Sequence, residues 1–221
     1  MTTLDQEPLK SLLARLHNAA KREMPRTMFG GIRLMAPRLL GRSITSQNHA
    51  RFARNLFLAL GPEAGRFAYT TARAIGARHI VEFGTSFGIS TLYLAAAVRD
   101  NGGGQVITGE LNPEKCATAR RHFEEGGLAE LIEVRSGDAL ETLKALPDTV
   151  DMVLLDGWKD IYLDVLHLIE PRLRPGAVVL ADNINMFKRT LAPFVAEMQN
   201  SGRYTSQTLP LGSGLEYSVR L

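Results

Sequence analysis

Five acids, Glu82, Glu110, Asp138, Asp156 and Asp182, stand at the ends of short apolar runs: HIVEFG, QVITGE, IEVRSG, VDMVLLDG and GAVVLADN. One such acid is an ordinary helix cap or turn residue. Several at one edge of a sheet would repel one another unless cations or polyhydroxylated ligands were bound there. The first acid opens Glu82-Phe83-Gly84-Thr85-Ser86-Phe87-Gly88. Its glycines are spaced Gly-x-x-x-Gly, unlike the dinucleotide-binding loop. Glu82 would repel a pyrophosphate and suits a ligand carrying an ammonium group, while Gly84 lets the backbone come close. Glu110 can accept both hydroxyls of a ribose, and Asp138 can accept from an exocyclic amine. An amino acid, a ribose and an adenine in that order describe S-adenosylmethionine. The alternative is a dehydrogenase-like nucleotide fold in which Glu82 is incidental.

The elements that must position these acids follow from the pattern around them. Apolar runs at 79–84, 105–110, 132–137, 150–157 and 176–183 alternate with helical segments at 88–99, 113–125, 139–146, 160–172 and 187–200. Runs apolar on both faces between helices predict a parallel sheet covered on both sides. Ligands of such sheets bind beyond the carboxyl ends of the strands, where the acids stand. Asn112-Pro113 sets one helix start as a cap and first-turn pair. The tail, YTSQTLPL and LEYSVRL around Gly212-Ser213-Gly214, predicts an antiparallel hairpin, which makes the sheet seven-stranded. Upstream, Leu4, Leu9, Leu12, Leu13 and Leu16 predict an amphipathic helix over 5–22, and further helices are expected over 50–60 and 63–75. Between them lies a Pro/Gly-rich stretch from Met24 to Ser46, in which Met24, Met28, Phe29 and Met35 suit an apolar lid or, equally, core filling. Residues 1–60 are therefore taken as a helical extension or lid and 61–221 as the cofactor-binding domain.

One segment carries a resemblance. Leu155-Asp156-Gly157-Trp158-Lys159-Asp160-Ile161-Tyr162 and the strand ending Leu180-Ala181-Asp182-Asn183 resemble the catechol O-methyltransferase family. The likeness extends over roughly residues 47–221, from Leu58-Ala-Leu-Gly61 to Leu215-Glu216-Tyr217. It implies a Rossmann-like class I methyltransferase fold, an α/β sheet in the order 3-2-1-4-5-7-6. It also implies a divalent metal, usually magnesium, held by Asp156, Asp182 and Asn183. The residue chemistry agrees: two carboxylates and an amide are hard oxygen ligands that suit Mg²⁺ far better than Zn²⁺. Acids closing adjacent strands about 4.8 Å apart can converge on one ion. Three protein ligands leave about three octahedral positions, two of which a vicinal diol could fill.

Further roles rest on the same resemblance. Lys159 matches the family's catalytic base, and Glu216 the acid that holds the second, unmethylated hydroxyl. Their plain alternatives are a surface lysine paired with Asp160 and an exposed strand residue. Trp158 suits an aromatic wall or a cover for the purine, or ordinary packing. The cofactor set is Leu60, Glu82, Gly84, Thr85, Ser86, Ser90, Glu110, Leu111, Gly137, Asp138, Ala139, Asp156 and Trp158. The expected reaction is methyl transfer from S-adenosylmethionine to a hydroxyl of a small catechol-like acceptor. The alternatives are a metal-independent methyltransferase acting on a carboxylate or amine and a non-catalytic S-adenosylmethionine-binding module. Gly157, Phe187 and the basic N-terminal extension depart from the mammalian-type pattern, which leaves the acceptor open. Bacterial relatives are often dimers joined through N-terminal segments, so a homodimer is among the expectations.

Composition bounds the rest. The chain has 221 residues, 45% hydrophobic and 22% charged, which excludes collagen-like, disordered and disulfide-stapled classes. A lone cysteine, Cys116, permits no intrachain disulfide and suits a reducing cytoplasm. It has no second cysteine or strand-end histidine to make it a nucleophile, and the five histidines show no metal-ligand spacing. The start MTTLDQEPLK has no apolar signal core, and no stretch approaches the roughly 18 apolar residues of a membrane span. Residues 1–60 carry ten Lys and Arg against three Asp and Glu, the remainder sixteen against twenty. Those basic residues come singly, without the runs or aromatic platforms of a nucleic-acid site, and no nucleic-acid or membrane partner is expected.

Overall fold

The computed structural model describes residues 1–23 and 60–221. The lid residues Met24 to Met35 and nearly all of the helix expected over 50–60 lie outside the described residues. Seven strands form one sheet: β1 (His79–Phe83), β2 (Gln105–Glu110), β3 (Ile132–Ser136), β4 (Val150–Leu155), β5 (Leu173–Asp182), β6 (Tyr204–Leu209) and β7 (Leu215–Arg220). Their order is β3-β2-β1-β4-β5-β7-β6, with β1 to β5 parallel and β7 antiparallel to both β5 and β6.

Consecutive apolar residues in the central strands serve opposite faces. Ile80, Val106, Met152, Leu154, Val178 and Leu180 bury against α1 (residues 9–23), α2 (Pro62–Ala74) and α3 (Ile89–Asp100). Val81, Ile107, Val153, Leu155, Val179 and Ala181 bury against α6 (Tyr162–Ile169) and α7 (Lys188–Asn200). This two-sided burial is why the strands are continuous apolar runs. Helix α3 is apolar nearly all round and is buried without a break from Ile89 to Val98.

The N-terminal leucines bury as the helical spacing predicts, with α1 starting at residue 9 after a 3₁₀ turn at Thr3–Asp5. Asp100, at the end of α3, accepts hydrogen bonds from the backbone N–H of Thr3 and from the Tyr69 hydroxyl, tying the start of the chain to the core. Helix α4 (Pro113–Glu125) begins as expected, the Asn112 side chain accepting from Glu114 N at 2.9 Å with Pro113 in the first turn.

Two helices are shorter than the periodicity predicts. The segment expected over 139–146 is a single turn, α5 (Ala139–Thr142). Arg135 reaches across and donates to the carbonyls of Thr142 and Ala145, and Pro147 disfavours helix at the preceding residue. The segment expected over 160–172 divides into a 3₁₀ turn at Lys159–Ile161, α6, and a second 3₁₀ turn at Glu170–Arg172 that contains Pro171. Strand β5 in turn begins at Leu173, ahead of the expected Gly176, and its pairing with β4 shifts register between Val150 and Met152.

Candidate active site

The β4–β5 register pairs Leu154 with Leu180 and Leu155 with Ala181. The next residue on each strand is an acid, so Asp156 and Asp182 stand side by side at the carboxyl edge. Asn183 follows at φ 71°, a left-handed conformation that asparagine tolerates better than most residues. Its amide Nδ2 donates to Asp182 Oδ2, which leaves the amide carbonyl as the atom able to ligate. Burial, foremost, and then the charge of Asp156 push the Asp182 carboxyl up to about 7. Burial raises Asp156 as well, opposed by the Lys159 ammonium.

Lys159 leaves the strand end on the 3₁₀ turn and donates to Asp156 Oδ1 at 3.1 Å and to Tyr162 Oη at 2.9 Å. Both members of the ion pair are largely buried, with side chains 12% and 14% exposed, so this lysine is not a solvated surface charge. Its Nζ also lies 6.0 Å from the Phe187 ring centre, at the start of α7. Among the described residues, two crowded acids and one amide face a single compensating ammonium, an oxygen-rich arrangement that fits a hard dication. Among the described residues no cluster of three or more His, Cys, Asp or Glu side chains is spaced to hold a metal. The triad, two carboxylates and an amide, is outside that pattern.

A second group gathers after β1 and β2. Glu82 is fully buried and pairs in register with Thr108 of β2. Its Oε2 accepts from the hydroxyls of Thr91 and Thr108, and Thr85 passes its own proton to Thr108 at 2.6 Å. Oε1 is buried with no hydrogen-bond partner. An orphaned carboxylate oxygen this deep is costly, and a cationic ammonium would satisfy it. Glu110 is held by two backbone donors, Ser86 N and Asn112 N, each at 2.9 Å. Leu111 beside it is 38% exposed, an apolar surface at the edge where a flat base could lie.

Gly84 is needed for packing. At φ 108°, a Cβ there would stand 2.6 Å from Gly157 N and 2.7 Å from the Asp156 carbonyl carbon. The glycine thus lets the β1 loop lie against the end of β4, bringing the cofactor loop and the acid pair together. Ser86 also takes positive φ, at 48°, with its Oγ buried and unpartnered.

The other expected residues take the following places. Asp138 is exposed and caps α5, its Oδ1 accepting from Leu140 N at 2.9 Å. Gly137 donates its N–H to Glu110 O, and Ala139 is buried. Leu60 and Ser90 are buried, Leu60 in the core beneath α1 to α3 and Ser90 beside the Glu82 carboxylate. Trp158 packs partly buried on the α6–α7 face. Glu216 is fully buried, with Oε1 accepting from Gln199 Nε2 at 2.8 Å and Ser206 Oγ at 2.7 Å, and Oε2 from Thr208. Paired with Ala181, it faces the α6–α7 side within the hairpin. Cys116 is buried, and burial, chiefly, raises its thiol pKa, which disfavours the thiolate.

The residues that sequence reasoning did not assign are Thr91 and Thr108, and Tyr162 beyond its place in the motif. Thr108 had a signal, since it lies opposite Glu82 once β1 and β2 pair.

Burial raises the Glu82 carboxyl to about 7 from an ordinary 4.5. The folded state therefore holds this proton more tightly, so stability is present in full at acidic pH and declines as pH rises through about 7. The span corresponds to about 3 kcal/mol, at 1.36 kcal/mol per unit. Glu82→Gln is expected to reduce the fall in melting temperature between pH 5 and 8, leaving the part due to Asp156 and Asp182, and to weaken S-adenosylmethionine binding about tenfold or more. Thermal melts across pH and calorimetry measure both; an unchanged pH slope would refute the assignment.

A sheet in this order, with a glycine-bearing loop after β1 and acids closing β2, β4 and β5, is the class I methyltransferase arrangement. Comparison with known proteins narrows the class. Residues 81–184 match the family model described as a methyltransferase domain. The catechol O-methyltransferase of Sus scrofa is 31% identical over 170 residues, covering 72% of this chain and 86% of that protein. That of Niastella koreensis is 30% identical over 131 residues, so the match spans 58% of this chain and 58% of that relative's length. The O-methyltransferase from Bacillus cereus, solved in complex with SAH, has 26% identity and a TM-score of 0.69, covering 74% of this chain and 83% of that one. This chain belongs to the catechol O-methyltransferase-like family of class I O-methyltransferases.

Proposed function

We propose that the protein transfers the methyl group of S-adenosylmethionine to one oxygen of a small vicinal dihydroxy aromatic, with Mg²⁺ held by Asp156, Asp182 and Asn183. The observation that carries this reading is the buried acid pair with Lys159 Nζ 3.1 Å from Asp156 Oδ1. The family relatives named for catechol and the SAH-bound neighbour support the acceptor and donor.

When bound, Mg²⁺ supplies Lewis acidity that lowers the pKa of a coordinated hydroxyl. S-adenosylmethionine supplies an electrophilic methyl on a sulfonium. The protein's own residues do the rest. Glu82 holds the donor's ammonium with Oε1, and Glu110 its ribose. Lys159, acting as the neutral amine, takes the proton of the hydroxyl to be methylated, an O–CH₃ bond forms as the S–CH₃ bond breaks, and the electron pair stays on sulfur. Gly84 keeps the donor loop against the acid pair, so catalysis is largely positioning. Phe187, its ring 6.0 Å from Lys159 Nζ, is close enough to the base to contact the acceptor's ring. A reducing cytoplasm suits the single buried thiol. Among the described residues no helix is long and apolar enough to cross a membrane.

Incubation with S-adenosylmethionine, Mg²⁺ and a panel of phenols tests the reading. Vicinal diols are expected to give monomethyl ethers and monophenols none, by mass spectrometry. Methylation of monophenols at equal rates, or of no diol, would refute it.

A further inference from the structure

We propose that Tyr162 is a positioning residue that aims Lys159 at the acceptor hydroxyl; the inference rests on Lys159 being the base. Lysine carries its amine on a flexible four-carbon stem, and a general base must sit within hydrogen-bond reach of the proton it takes. Two acceptors orient this one. Asp156 Oδ1 takes one N–H at 3.1 Å and Tyr162 Oη another at 2.9 Å. A tetrahedral nitrogen with its stem and two N–H bonds so committed has a single direction left for the acceptor.

Tyr162 is itself immobile. It is 1% exposed, and its ring packs edge to face on Phe83 at 6.2 Å and on Phe194 at 5.7 Å. Its hydroxyl proton lies toward the Asp182 carbonyl, 3.4 Å away, which leaves an oxygen lone pair for Lys159. One phenol thereby ties the lysine after β4 to the end of β5, the strand that carries the second acid. Asp156 has a competing duty, because the ion it is proposed to hold draws on the same carboxylate. Tyr162 has none and keeps the lysine in place whichever way Asp156 is engaged.

Tyr162→Phe removes the oxygen and keeps both ring contacts. Its kcat is expected to fall about ten- to a hundredfold, while KM for S-adenosylmethionine stays within about twofold. In the double variant with Lys159→Met, kcat should be no lower than with Lys159→Met alone, because the tyrosine acts only through the lysine. A merely structural tyrosine would instead raise KM and multiply the two losses. A crystal structure of Tyr162→Phe gives a readout apart from turnover, with Nζ expected to leave its present position. Wild-type kcat in Tyr162→Phe, losses that multiply, or an unmoved Nζ would overturn the inference. Wild-type kcat in Lys159→Met would overturn the base assignment itself, and this inference with it, which is a separate result.

Discussion

Replacing Lys159 by methionine is expected to lower kcat by about two to four orders of magnitude, the usual worth of a positioned general base. Methionine keeps most of the stem's length and apolar contact, so the loss is confined to the amine. KM and Kd for S-adenosylmethionine should hardly change, because the residues proposed to bind the donor, Glu82 and Glu110, belong to β1 and β2. A fall in kcat and kcat/KM together marks an interaction realised in the transition state. The substitution also removes the ammonium that opposes the raised Asp156 carboxyl, so the ion-free variant should melt lower. Added Mg²⁺ should restore stability without restoring rate. Steady-state kinetics with a vicinal diol and thermal melts with and without Mg²⁺ separate these effects; turnover within a few-fold of wild type would remove the lysine from the mechanism.

Excess chelator is expected to abolish turnover, and Asp182→Ala to reproduce that loss in a form that no Mg²⁺ concentration reverses. Asp156 and Asp182 are neighbours, Asp182 buried and Asp156 largely so, and burial together with the Asp156 charge lifts Asp182 to about 7. Removing one acid relieves that strain, so Asp182→Ala should fold at least as well as the ion-free wild type. What it loses is the charge that attracts a dication. A ligand at a hundred times its dissociation constant stabilises the fold by about 2.7 kcal/mol, a shift of roughly 5–11 °C in a domain of this size. Wild type should show that shift on adding Mg²⁺, and the variant should not. A variant that still shifts, or a wild type fully active in chelator, would rule out this acid pair as the ion site.

Much of the site was legible from single residues. The acids closing β1, β2, β4 and β5 are marked by the apolar runs they end, and Asn112-Pro113 announced α4 unaided. Lys159 lies three residues from Asp156, close enough along the chain for the short loop after β4 to bring them into contact. Glu216 was less legible. As a strand residue beside a hairpin it has no local sign of its partners, and only the pairing of β7 with β6 and α7 shows three donors filling it. Asp138 carries the same ambiguity, because a cap and a ligand carboxylate look identical in sequence.

Taken alone, the sequence determined the alternating strands and helices, the hairpin at the tail and the row of acids, because period, turn residues and caps act over a few neighbouring positions. The tertiary structure decided which acids meet. Asp156 and Asp182 adjoin through the β4–β5 register, Glu82 keeps an orphaned oxygen because Thr91 and Thr108 take only the other, and Tyr162 bridges two strand ends. Each depends on residues brought together by strand order and by which face a side chain takes, quantities that long-range packing sets.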